Sequence, residues 1–447
     1  MAEVETLVYG MRITSAVPSR VTGEGVAHEL TGMDLAVKLH HLKGLYYFSS
    51  GLHVSDMREA IFLWLTQYHN VCGRIRVPET GYPFIKLNDA GVRFIEARAS
   101  KTVDEWLALK DCSLEDQLVP SLALHDGLDQ SFIPLVSLQI TWFRCGGMSV
   151  GLNWSHVLGD AFSCSVFMNA LGEFLQGQVP SKPLEKPKRP EPRCSRSISR
   201  KPFSLKRVDP VGDRWLTAAD CKMAAHSFHL TAEQLNHIGS SIVSSPNGKV
   251  CSIEPFELIS AIIWKYIAKI RVKSEEPKIV TVCSERTDSK GFPRREKNSI
   301  DRQRLIPFNG LKVGTVEVDF PVSEADITKL ASSLVQEVEE ENDMIEELVE
   351  GEITQMGKMS HFIFYGANLT FFDMEEANVY GFKIKGERPI FANYTIGGVG
   401  EKGAILVLPA PDISTEGGKY ARLVTAILPE TELEELKHVF RQEWTVG

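Results

Sequence analysis

Between residues 136 and 174 the spacing of apolar positions changes period once, and that change marks the stretch around which the chain is organised. Met148, Val150, Leu152 and Trp154 alternate with smaller or more polar neighbours, the period of a strand with one buried face. Further on, Phe162, Val166, Phe167, Ala170, Leu171 and Phe174 recur at helical spacing, so a helix with one apolar face follows. His156 therefore stands at a strand-to-helix corner, within Asn153-Trp154-Ser155-His156-Val157-Leu158-Gly159-Asp160-Ala161-Phe162. Upstream, Val136, Leu138, Ile140 and Trp142 alternate, and Cys145-Gly146-Gly147 turns the chain back. A hairpin delivers the corner.

The same two periods divide the rest of the chain. Residues 14–34 read as turn-rich, 44–48 as a strand, and Ser55-Asp56 as the cap of a helix whose Met57, Ile61, Trp64, Leu65 and Tyr68 share a face. Short strands are expected over 84–88 and 92–96, and a helix over 103–109. In the second half the pattern predicts strands near 225–230, 278–283, 363–365, 390–395, 404–408 and 423–427. Helices are expected from Thr231, over 255–266, from Ser323 through Val338, and from Thr431; the acidic run 337–352 reads as a solvated face. Alternating strands and helices in both halves predict two α/β domains, with His156 facing their interface.

Composition narrows this picture at a few points. A chain of 447 residues suits two domains, and a net charge of −9 argues against a general nucleic-acid binder. Eight cysteines without metal-ligand spacing suit a reducing compartment, and no metal site is expected. No apolar run is long enough to span a bilayer. From Ser181 to Pro210 there are six prolines, and ten Lys or Arg lie between Lys182 and Arg207 against two Glu. This is a crossover linker, and its charge could also guide an anionic ligand or act as a nuclear-import signal. The expected division is thus 1–180, linker 181–212, and 213–447.

A neutral imidazole at such a corner offers general base catalysis, taking the proton of a hydroxyl or amine that attacks an activated acyl carbon. Asp160, at the start of the helix, suits a structural role there. With 12 histidines in the chain, a bare His-x-x-x-Asp arises by chance about half a time, and His125 with Asp129 is a second match. Only His156 has Gly159 beside the aspartate and the strand-turn-helix frame. The competing reading is a hydrogen-bonded structural histidine.

Longer stretches carry a resemblance: Leu30-Thr31-x-Met33-Asp34, Asn70-Val71-Cys72-Gly73-Arg74, Gly91-Val92-x-Phe94-x-Glu96-Ala97, the run from Ile133 to Phe143, and the run from Phe256 to Trp264. With the His156 motif they resemble the plant BAHD acyltransferases over nearly the whole length. The resemblance implies two chloramphenicol-acetyltransferase-like domains with a channel at their interface, entered by coenzyme A thioester and acceptor from opposite faces. It implies His156 as base and Asp160 as a structural aspartate reaching an arginine of the second domain, for which Arg286 is the candidate. Trp154, Asn368 and Thr370 are candidate channel-lining residues.

The family's second motif, Asp-Phe-Gly-Trp-Gly, is degenerate here. By position it falls at Asn378-Val379-Tyr380-Gly381-Phe382, where the acid is an amide and the family glycines are not kept in register. That departure resembles the eceriferum clade, as do the stretches from Tyr365 to Phe371 and from Ala392 to Gly400. The clade implies a monomeric accessory of the fatty acid elongase, peripheral on the cytosolic face of the endoplasmic reticulum or in the cytoplasm. Its implied partners are a β-ketoacyl-CoA synthase and long-chain acyl-CoA, and it implies no permanently bound cofactor. The alternative is an acyl-CoA-dependent O- or N-acyltransferase that uses His156 as base.

Overall fold

The computed structural model describes residues 6–78, 82–109, 112–120, 132–180, 182–186, 200–208, 221–243, 253–271, 276–285, 305–356, 360–411 and 421–443. In the first half lie strands β1 (Val8–Ala16), β2 (His41–Phe48), β3 (Val92–Ala99), β4 (Val136–Trp142) and β5 (Met148–Ser155), with helices α1 (Gly32–Ala36), α2 (Val54–Gln67), α3 (Val103–Ala108) and α4 (Ala161–Leu175). The second half holds β6 (Met223–Leu230), α5 (Ala232–Val243), α6 (Pro255–Ile270), β7 (Ile279–Glu285), β8 (Leu311–Glu317), α7 (Ile327–Gln336), β9 (Glu339–Glu340) and α8 (Asn342–Met356). It continues with β10 (Leu369–Asp373), β11 (Phe391–Gly397), β12 (Ala404–Pro409), β13 (Arg422–Pro429) and α9 (Glu430–Glu443).

The expected hairpin forms, with β4 and β5 antiparallel from Val136↔Trp154 to Trp142↔Met148, and Gly146 taking the positive φ of its turn. The first sheet runs β1-β3-β4-β5-β2-β11, and the second β6-β13-β12-β10-β7-β8-β9. Strand β11 comes from the second half, yet it pairs antiparallel with β2 along its whole length, from Phe391↔Tyr47 to Gly397↔His41. The two halves therefore share a sheet. One apolar core runs from Trp64, Trp154 and Phe167 into Phe372, Leu406 and Leu423. A second lies on the far face of the second sheet under α6 and α9, since successive strand residues point to opposite faces.

Several elements differ from the expectation, each for a local reason. β1 spans Val8–Ala16, of which only residues 14–16 fall in the stretch read as turn-rich; it is an edge strand, exposed throughout its middle, so no alternation marks it. Helix α1 is set by a capping box in which Thr31 and Asp34 each satisfy the other's backbone N–H. Helix α2 begins at Val54 with no side-chain cap, in place of the expected Ser55-Asp56 cap. The acidic run holds α8, whose Ile345, Val349 and Ile353 are buried at four-residue spacing among the acids. Within the linker, residues 200–208 pack on the second half: Arg200 pairs with Glu317 and Glu339, and Glu341 accepts the N–H groups of Phe203 and Ser204.

The shared sheet is held by side chains of β11. Asn393 donates to Ser227 of β6 at 3.1 Å and accepts from Thr425 of β13 at 3.0 Å. Tyr394, 1% exposed, shares a hydrogen bond with the Tyr46 hydroxyl and packs edge-on to its ring. Truncating Tyr394 to alanine leaves a cavity at the seam and is expected to cost about 3–5 kcal/mol. Urea unfolding checks this: a loss below about 1 kcal/mol at the seam would mean that β11 is held by its backbone pairing alone.

Candidate functional site

The corner is built as one turn of 3-10 helix, His156–Leu158, between β5 and α4. Gly159 ends it with φ 155°, and a Cβ there would lie 2.8 Å from the Phe308 nitrogen. Glycine is thus required by backbone conformation and by close approach. Trp154 closes the turn, its indole N–H donating to the Gly159 carbonyl at 2.9 Å. The His156 N–H donates to the His40 carbonyl at 3.1 Å.

Asp160 caps α4. One carboxylate oxygen accepts the Ser163 N–H at 2.8 Å, and the other accepts the Gly310 N–H at 2.8 Å. The segment Phe308-Asn309-Gly310 clasps the corner from the second half. The Phe308 carbonyl accepts the Asp160 N–H at 3.2 Å and the Ser163 hydroxyl at 2.9 Å. The Asn309 amide donates to the His156 carbonyl at 2.9 Å and to Asp34 at 2.8 Å. Arg286, the expected partner of Asp160, lies outside the described residues, as do His125 and Asp129.

The imidazole is 0% exposed. Its Nε2 is 2.9 Å from the hydroxyl of Tyr365, itself 0% exposed, while Nδ1 is buried with no hydrogen-bond partner among the described residues. Burial holds His156 below the usual histidine range, opposed by its own carbonyl, Asp160, Asn309 and Asp34. Burial raises the Tyr365 phenol well above its usual range. Both groups are neutral at physiological pH, and the phenol can donate to Nε2 when Nδ1 carries the ring proton. In that tautomer the base is neutral and its Nε2 lone pair is engaged by the phenol.

Tyr365 is fixed on all sides. His40 Nε2 accepts the N–H groups of Phe364 and Tyr365 at 2.9 and 3.3 Å. The Tyr365 carbonyl accepts the Gly400 N–H at 2.9 Å, and its ring stacks on Phe372 at 5.8 Å. The next residue, Gly366, has φ +84°, and a Cβ there would meet the Gly400 backbone at 2.5 Å. The backbone that carries the ring is thus packed directly against Gly400.

The other expected residues have definite places. Trp154 is buried against Phe167, with ring centroids 4.9 Å apart. Thr370 is buried, accepting the Gly366 N–H at 3.2 Å and donating to the Asn368 carbonyl at 3.0 Å. Asn368 donates to the Phe203 carbonyl at 2.7 Å. The stretch Asn378–Phe382 is a turn pressed onto the first half. Asn169 of α4 donates to the Asn378 carbonyl at 3.1 Å, and Phe382 packs edge-on to Tyr46 and Phe48 at 5.2 and 5.4 Å. A surface recess is lined by Tyr68, Ser163, Val166 and residues 305–308, and His156 is not part of its wall. Among the described residues no three His, Cys, Asp or Glu side chains cluster closely enough to hold a metal ion.

Comparison with known proteins matches this geometry to one family. A family model described as the Transferase family covers residues 11–442. The chain is 35% identical to Protein ECERIFERUM 2 of Arabidopsis thaliana, over 96% of this chain and 97% of that protein. It is 36% identical to Protein ECERIFERUM 26 of the same plant, over 97% and 96%. Among solved structures, vinorine synthase superposes with a TM-score of 0.66 at 18% identity, covering 95% of this chain and 96% of its own. The last likeness shows the fold: two linked chloramphenicol-acetyltransferase-like α/β halves.

Two outcomes follow from the site. Replacing Asp160 by asparagine turns an amide N–H₂ toward one of two backbone donors, so stability should fall by about 1–3 kcal/mol; an unchanged thermal midpoint would show that the Gly310 contact contributes nothing. The second concerns pH. His40 and His361 are held at about 3 by burial, His41 at about 4, and His156 is lowered too. The unfolded chain binds these protons near pH 6.5 while the fold refuses them, so their contribution is complete above about 6.5 and is lost as pH falls toward 4. Glu346, raised by burial to about 7, and Glu173, also raised by burial, oppose this, but two protons do not offset four. The melting temperature should therefore drop between pH 6.5 and 4.5, and a flat profile would contradict the neutral cluster.

Proposed function

The chain belongs to the Transferase family of BAHD-type acyltransferases, and from that membership we propose that it acts as an accessory protein of the fatty acid elongase, not as a turnover acyltransferase. In this reading it works with a β-ketoacyl-CoA synthase at the cytosolic face of the endoplasmic reticulum. There it promotes extension of very-long-chain acyl-CoAs toward wax precursors. The observation that carries the reading is the enclosure of the family base: His156 is 0% exposed and its Nε2 is held by the Tyr365 hydroxyl. In this arrangement an acceptor alcohol would have to displace the Tyr365 hydroxyl to reach the atom that takes its proton, since a general base must lie within hydrogen-bond reach of that proton.

Three further points support it. The likeness to two ECERIFERUM proteins extends over nearly the full chain. The stretch Asn378–Phe382 is packed into the first half through Asn169 and Phe382. No helix among the described residues is long and apolar enough to cross a membrane, in keeping with peripheral attachment through a partner.

The competing reading, acyl transfer from coenzyme A with His156 as base, is favoured by one feature: the imidazole is held neutral beside an intact Asp160 cap. Acyl-chain profiling separates the two readings in yeast that carries a plant wax-type condensing enzyme. We expect longer acyl products when this chain is co-expressed, and the same lengthening with His156→Ala wherever that variant accumulates to wild-type level. No lengthening, together with acyl-CoA consumption by the purified protein and an added alcohol, would establish the transferase instead.

A further inference from the structure

We infer that Tyr365 is a built-in acceptor mimic, a side chain whose hydroxyl occupies the place of an acceptor alcohol at His156 and thereby silences the base. The inference rests on the accessory reading above and adds a cause for it. The hydroxyl lies 2.9 Å from Nε2, the distance at which a base receives the proton of an attacking hydroxyl. A phenol buried at that point is a poor nucleophile, because burial holds its proton firmly in place.

The anchoring of Tyr365 distinguishes a permanent occupant from a side chain that swings aside. Its ring is gripped by His40 edge-on at 5.1 Å and by Phe372 in a stack at 5.8 Å. Its backbone is bonded to His40 and Gly400, and the adjoining Gly366 backbone lies against Gly400. His40 supports both partners at once, since its carbonyl accepts the His156 N–H and its ring accepts the Tyr365 N–H. The base and its occupant are thus positioned by the same residue.

Removing the occupant should restore chemistry that the frame otherwise retains. With the phenol gone, an alcohol oxygen adds to the thioester carbonyl while its proton passes to Nε2. The carbon–sulfur bond then breaks, and the coenzyme thiolate takes the proton back from the imidazolium. An ester and free coenzyme A result, with no oxidant or reductant consumed. A general base supplies about two to four orders of magnitude in rate, so even partial recovery is measurable.

The test uses the full-length wild type, Tyr365→Ala, Tyr365→Phe and the double variant Tyr365→Ala/His156→Ala, with stearoyl-CoA and 1-octanol as probes. Release of coenzyme A by Tyr365→Ala should exceed that of the wild type at least tenfold and disappear in the double variant. Diethyl pyrocarbonate, which acylates accessible neutral imidazole, should label His156 in Tyr365→Ala and not in the wild type, as read by peptide mass spectrometry. If the alanine variant does not fold, Tyr365→Phe carries the test. Loss of the phenolic hydrogen bond should move the ring ¹⁵N resonances of His156, and unmoved resonances would overturn the contact. A folded alanine variant that stays silent in both assays would overturn the mimic while leaving the accessory reading to the yeast assay. Turnover by the wild type at the rate of Tyr365→Ala would overturn both.

Discussion

One buried carboxylate ties the site together. Asp160 is enclosed by apolar core, a position that an acid holds only when its oxygens are satisfied by good donors. One donor, the Ser163 N–H, comes from the start of its own helix. The other, the Gly310 N–H, arrives from the second half of the chain, 150 residues later. The His156 corner therefore takes its final geometry only when Phe308–Gly310 closes over it. Asn309 extends the same clasp to the His156 carbonyl and to Asp34, so helix α1, the corner and the second half form a single polar network in an otherwise apolar interior. Its paired members fix one another's positions, while Asn309 Oδ1 and His156 Nδ1 are buried without a partner among the described residues.

The parts that could be read from the sequence are those whose signal is local. The alternation of residues 136–154 gives the β4–β5 hairpin, and the helical spacing after Phe162 gives α4, because each pattern reflects one buried face of one element. Gly159 and Asp160 were legible for the same reason: a turn and a cap are set within a few residues. The edge strand β1 was not legible, since an exposed strand has no alternation to display. Helix α8 was hidden because its three buried apolar residues are diluted by acids. The contacts that decide the chemistry were the least legible. Tyr365 meets His156 across 209 positions, and neither residue's neighbours in sequence announce the pairing.

The resemblance to acyltransferases was readable from several separate stretches, and the full-length relatives bear it out. It stops short of the distinction that matters for function. A transferase and an accessory protein on this fold need the same strands, the same corner and the same interdomain seam, because those features serve stability first. What separates them is whether an acceptor can reach one ring nitrogen, and that is governed by a few side chains at the seam. Two observations bear on it here: the enclosed imidazole, and the packed turn at Asn378–Phe382, which uses Phe382 to fill space against Tyr46 and Phe48. Each replaces opportunity for a ligand with internal packing.

On the accessory reading proposed above, that exchange also accounts for the retention of His156. Once the Tyr365 hydroxyl is buried against Nε2, removing the imidazole leaves a phenol with no other hydrogen-bond partner within the described core, at a cost of about 1–3 kcal/mol, in addition to the cavity left behind. Domains are commonly stable by only about 5–15 kcal/mol, so such a loss is a large fraction of the whole. On the inference drawn above the pair is self-preserving: the tyrosine occupies the base, and in doing so gives the histidine a share in stability. A His-x-x-x-Asp motif persists under either role. In this chain the motif forms the corner, and the side chain opposite Nε2 is the phenol of Tyr365.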